Sequence, residues 1–135
     1  MESHWRWNIT LSPQKTIVKS DVKESRRFAI DAARLLSQTR CNNVVVLDVT
    51  GESPVTDFLV IATGASSRQM KTACDDLQEL GAPRGFRPMC RIDDNEVWIC
   101  IDLVDIVVHL FTGESRLYYD LENFWADAKP VSWEE

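Results

Sequence analysis

Apolar and polar positions follow two different periods along this chain, and each change of period marks an element. From Lys23 to Gln38, Phe28, Ala32, Leu35 and Leu36 recur at helical spacing, after a capping Ser20 or Asp21. Cys41-Asn42-Asn43 stops this helix. Val44 to Leu47 is an unbroken, β-branched run, which predicts a strand buried on both faces. Thr50 to Pro54 reads as a turn, and Phe58 to Ala62 as a second buried strand. Thr63 to Ser67 leads into a helix from Arg68 to about Leu80, capped by Ser66 or Ser67, until Gly81, Pro83 and Gly85 break it. Arg87 to Ile92 predicts a short edge strand, and Asp93-Asp94-Asn95 a turn.

Val97 to Leu103 and Asp105 to Phe111 then read as a hairpin with strict alternation. Val97, Ile99 and Ile101 face one way; Trp98, Cys100 and Asp102 face the other. Ile106, Val108 and Leu110 oppose Asp105, Val107, His109 and Phe111 in the same manner. Leu117, Leu121, Phe124 and Trp125 predict one last helix from about Ser115 to Ala126. The order α-β-β-α-β-β-β-α predicts an α/β (α+β) fold, a mixed five-stranded sheet flanked by helices. Residues 1–20 lack clear periodicity, although Trp5, Trp7, Ile9 and Leu11 alternate as a short strand would. They are expected as an extension, with the domain over 21–130 and an acidic tail over 131–135. The tail tryptophans Trp5, Trp7 and Trp133 are expected to fold back on the domain.

With 135 residues, the chain fits one domain with a real core. No apolar run approaches the roughly 18 residues of a membrane span. The first residues resemble neither a signal nor a transit peptide, so the expectation is a cytoplasmic protein with no membrane partner. Cys41, Cys74, Cys90 and Cys100 show no CxxC spacing, and the reading is four reduced thiols serving as small hydrophobes, with no metal and no cofactor. Charge is unevenly placed. Residues 1–90 carry 12 basic and 10 acidic side chains, whereas residues 91–135 carry 3 and 11. An acidic half repels nucleic acid and suits a basic protein partner, or serves only as a solubilising face.

Several groups could carry chemistry. Thr63-Gly64-Ala65-Ser66-Ser67-Arg68 joins a strand to a helix N-terminus, which is either an anion site or a turn glycine with a cap. Arg68 opposes the helix dipole there. Asp102 and Asp105 flank a two-residue turn, and with Asp57 they suggest the acidic triad of a metal-dependent nucleotidyltransferase. The accompanying phosphate loop and Asp-x-Asp pair are missing, so turn capping or protein recognition suits these carboxylates better. His109 reads as a structural histidine. Trp98 and Tyr119 are either core residues or interface anchors.

Taken together, Leu47-Asp48-Val49, Thr56 to Gly64, Ser66-Ser67-Arg68-Gln69, Arg87-Pro88, Trp98 to Asp102, Asp105 to Phe111, Tyr119 to Glu122 and Trp125 resemble the ribosomal silencing factor or Iojap-like family from about Val22 to Pro130. The resemblance implies a nucleotidyltransferase-like fold without the catalytic residues, and hence no enzyme activity. It also implies a homodimer in the free state, and binding to ribosomal protein fourteen of the large subunit. Occupying that face would block the small subunit and repress translation; organellar relatives assist large-subunit assembly. The implied recognition residues are Trp98 and Tyr119, then Asp102, Asp105, Thr63, Gly64, Ser66, Ser67 and Arg68. The chain departs from the pattern at Leu103-Val104, where glycine is usual, at Met89 to Asp93, which lack the usual glutamate, and at Gly81-Ala82-Pro83, which should shorten the second helix.

Overall fold

A computed structural model describes residues 22–134. The strand expected around Trp5 to Leu11, the fold-back of Trp5 and Trp7, and the cap at Ser20 or Asp21 lie outside the described residues. Helix α1 spans Val22–Gln38 and buries Ser25, Phe28, Ala29, Ala32, Ala33 and Leu36 along one side. Helix α2 spans Ser67–Gly81 and is followed by a 3₁₀ turn over Ala82–Arg84. Both helices pack on one face of a sheet whose core includes Val46, Phe58, Val60, Ile99, Ile101, Val108 and Leu110.

The strands are β1 (Asn42–Asp48), β2 (Phe58–Thr63), β3 (Met89–Ile92), β4 (Trp98–Asp102), β5 (Ile106–Phe111) and β6 (Lys129–Pro130). Their order is β3-β4-β5-β2-β1-β6. The β2–β5 pairing is parallel and the others are antiparallel, so the sheet is mixed as expected. The hairpin alternation also holds: Trp98, Cys100, Val107 and Phe111 share the second face with Leu59 and Ile61.

The sheet has six strands rather than the expected five. Strand β6 is only two residues long and contains proline, so no alternation announces it. It forms because the chain returns to the free edge of β1. Val131 N–H donates to the Val46 carbonyl at 2.8 Å, and Trp133 Nε1 donates to the Val44 carbonyl at 3.0 Å. The expected tail therefore begins by docking on the core, and Trp133 folds back as anticipated.

Two further expectations are corrected. Cys74 of α2 and Cys90 of β3 are joined in a disulfide, while Cys41 and Cys100 are free and buried. Packing of α2 over the β3–β4 edge brings these two sulfurs together, which a separation of 16 residues does not disclose. The single C-terminal helix is instead two, α3 (Gly113–Tyr119) and α4 (Leu121–Phe124). Asp120 between them adopts φ +47°, the left-handed region that Asp tolerates better than most residues. This break rotates the pattern. Leu117 and Phe124 are 82% and 75% exposed, whereas Tyr119, Leu121 and Trp125 pack on the second face of the sheet.

The β4–β5 turn carries backbone strain. Val104 has φ +77°, and Asp105 N–H donates to the Leu103 carbonyl at 3.0 Å around it. A β-branched residue crowds its own backbone in this region. The Asp102 carboxylate supports the turn by accepting from Val104 N–H at 2.8 Å. Val104→Gly should therefore stabilise the domain by about 1 kcal/mol, the relief of strain exceeding the chain entropy that glycine adds. Urea unfolding reads this directly; an unchanged or lower midpoint would count against a strained turn.

Candidate functional site

The loop from Thr63 to Arg68 is occupied by local structural work. Ser66 is the N-cap of α2, its hydroxyl accepting from Gln69 N–H at 3.1 Å. Gln69 Oε1 accepts in return from Ala65 N–H at 2.9 Å, a near relative of the capping box. Ser67 donates to Glu96 at 2.7 Å. Gly64 is buried, and a Cβ there would overlap the Met70 side chain. Arg68 is exposed at the first turn. The carboxylates are divided as well. Asp57 and Asp105 are 4% and 1% exposed, and the Asp105 carbonyl accepts from Asp57 N–H at 2.9 Å. Asp102 caps its turn. Among the described residues, no group of three or more His, Cys, Asp or Glu is placed to hold a metal ion.

Trp98 and Tyr119, in contrast, are brought together from different elements. Their ring centroids lie 4.6 Å apart, and both stand on Phe111, at 4.9 Å from Trp98 and 6.0 Å from Tyr119. Both are partly exposed. Tyr118 meets Tyr119 edge-on at 5.0 Å and is itself 73% exposed. Offset and edge contacts of this kind suit the aromatic quadrupole. Buried Asp93 sets the start of β4, its carboxylate accepting from the N–H groups of Val97 and Trp98 at 2.8 and 3.1 Å. Burial pushes the Tyr119 phenol up, and the Asp93 charge adds to this, so the hydroxyl remains protonated.

Beneath this cluster, His109 is 8% exposed and its Nδ1 accepts from Trp98 Nε1–H at 3.1 Å. Burial pushes its imidazole down to about 3. Arg116, which the sequence reading passed over, fastens the cap. Its guanidinium donates to both Glu122 carboxylate oxygens at 3.0 and 2.9 Å, to the Asn43 carbonyl at 2.7 Å and to Thr63 Oγ1 at 2.9 Å. An Arg and a Glu six residues apart gave no helical-pair signal, because the ion pair crosses the break at Asp120. A cavity of about 770 Å³ opens beside this clamp, bordered by Asn43, Val45, Thr63, Glu114 and Leu117.

The arrangement presents a partly exposed aromatic cluster. The family described as "Ribosomal silencing factor during starvation" matches residues 22–135. A ribosomal silencing factor of Halalkalibacterium halodurans is 33% identical over 105 residues, covering 76% of this chain and 89% of that protein. A mouse protein named for mitochondrial assembly of the ribosomal large subunit is 32% identical over 104 residues, covering 73% of this chain and 46% of its own length. A crystal structure of a Chromobacterium violaceum protein superposes with a TM-score of 0.69 at 25% identity, covering 86% of this chain and 94% of that one. The chain belongs to the ribosomal silencing factor family, a regulatory family associated with the ribosome.

The buried imidazole makes stability depend on pH. The unfolded chain protonates His109 near pH 6.5, whereas the folded one resists until about 3. Its contribution is therefore complete above about pH 6.5 and is lost as the pH falls toward 3, at up to about 1.4 kcal/mol per unit. His109→Asn keeps an acceptor and does not titrate, so its unfolding free energy should fall less steeply between about pH 6 and 4. Parallel slopes for the two proteins in that window would show that His109 does not carry the dependence.

Proposed function

We propose that this chain silences translation by binding ribosomal protein fourteen of the large subunit and blocking the approach of the small subunit. The observation that carries the reading is the partly exposed Trp98–Tyr119 pair, 4.6 Å between ring centroids, in the part of the chain with 11 acidic and 3 basic side chains. Ribosomal proteins are basic as a class, so opposite potentials would speed encounter and set orientation, while neighbouring rRNA would be repelled. Trp and Tyr in a packed aromatic cluster would supply most of the affinity. A standard interface buries about 800 Å² per partner, and Tyr118, Leu117 and Phe124 extend the available apolar surface. Ser66, Ser67, Thr63 and Gly64 then support the backbone beside it and Asp102 the far turn of the hairpin, while Arg68 is exposed at the first turn of α2. Buried Asp105 contributes through the backbone rather than by touching the partner. The proposal includes a homodimer of the free protein in the cytoplasm.

A second reading is favoured by the mouse relative, whose name specifies assembly of the ribosomal large subunit. The same contact would serve both roles, with the chain acting on precursor particles rather than on finished subunits.

Sucrose-gradient sedimentation of purified subunits tests the first reading. The protein should migrate with the large subunit and diminish the joined-ribosome peak. Trp98→Ala and Tyr119→Ala should each weaken binding by about 2 kcal/mol, roughly 30-fold, while the domain remains folded. Normal subunit joining at saturating protein would sink the silencing role; undiminished binding by both variants would move the contact surface elsewhere.

A further inference from the structure

Trp98 and His109 are diagonal neighbours on adjacent strands. Trp98 pairs with Phe111, and His109 with Cys100, so the two side chains occupy the same face two residues out of register. Their rings are tilted by 43° with centroids 5.9 Å apart, which excludes stacking as the main contact. The contact is instead the 3.1 Å hydrogen bond from indole to imidazole. An indole has one donor and no acceptor, so this bond uses its whole polar capacity. It also places the proton of the neutral imidazole on Nε2, since Nδ1 must accept.

We propose that His109 is a positioning residue for partner recognition, holding the Trp98 indole against Phe111 and Tyr119 so that the ring offers its apolar surface, not its N–H, to the partner. This rests on the reading of Trp98 as an anchor. Its consequence for the partner is specific. The facing pocket needs no acceptor for an indole N–H. It needs apolar groups or the cationic side chain of a basic protein, which an aromatic face attracts. The stacked and hydrogen-bonded ring is also preset, so binding loses less side-chain freedom than a free tryptophan would.

Three variants test this, each assayed for affinity to purified large subunits and, where Trp98 is kept, for the ¹⁵N–¹H resonance of its indole. His109→Leu leaves the buried N–H without its acceptor; it should shift the indole resonance and weaken binding about tenfold. His109→Asn, whose Oδ1 can stand where Nδ1 stood, should recover most of the affinity and the resonance. In a Trp98→Phe background, which has no N–H to hold, His109→Leu should cost no further affinity. Should the leucine variant fail to fold, His109→Gln, with its acceptor displaced by one bond, substitutes for it, and normal affinity there overturns the proposal. Full affinity for His109→Leu beside a weakened Trp98→Ala would remove the role of His109 and leave the anchor standing. Full affinity for Trp98→Ala would remove both.

Discussion

A single guanidinium decides where the aromatic surface lies. Arg116 joins α3 to α4 through Glu122, and both to the sheet through Asn43 and Thr63. Its side chain is only 10% exposed and most of its donors are engaged, whereas its bidentate partner Glu122 is 38% exposed, so the pair is buried on the arginine side and open to water on the other. Removing Glu122 would leave the buried guanidinium without its counter-charge, held only by the Asn43 carbonyl and Thr63 Oγ1. Because the left-handed Asp120 lies between the two helices, this clamp also fixes the turn that points Tyr119 inward at Trp98 and leaves Tyr118 and Leu117 outside. The two faces of the sheet are thus held differently. One is covered by long helices whose apolar sides fill a continuous core; the other is covered by two short helices fastened by polar contacts.

That asymmetry accounts for what could be read in the sequence. The strands at Val44, Phe58, Trp98 and Ile106 were legible because period two and β-branched runs are local properties. The faces of the β4–β5 hairpin followed at once from the same alternation. The long helices were legible because an apolar stripe against a sheet repeats at helical spacing. The C-terminal cap was not, since its break depends on contacts between Arg116 and residues 53 and 73 positions away. Leu117 and Phe124 kept helical spacing with Leu121 and Trp125, yet the break sends them to solvent. Strand β6 and the Cys74–Cys90 bridge were hidden for a related reason: both depend on which segments the finished sheet places side by side.

Of the candidate site, what the structure adds is which of the proposed residues lie together. Trp98 and Tyr119 were singled out, and the structure brings their rings into contact, tilted by 43°. The residues grouped with them also have local structural roles. Ser66, Ser67, Gly64 and Asp102 have clear local duties in capping, close packing and turn support. Asp105 lies inside. A motif shared across a family combines residues that touch a partner with residues that hold the backbone under them, and a sequence does not separate the two. Val104 illustrates the converse. It adopts a positive φ with a β-branched side chain, which implies that the surrounding pairs of β4 and β5 dictate the turn more strongly than its own residue does.

The polar group under the aromatic cluster is the least expected element, because a leucine at position 109 would pack the second face without a desolvation cost. Burial of a histidine among Cys100, Val107 and Phe111 weakens the domain on the acid side of neutrality. The indole N–H resolves the difficulty. A partly covered Trp98 needs an acceptor, and water would compete for it on an open surface. An imidazole held neutral by burial supplies that acceptor from below and leaves the outer face of the indole apolar. A surface meant to bury itself against another protein gains from having the indole N–H met internally, because that donor then need not be desolvated unpaired on contact.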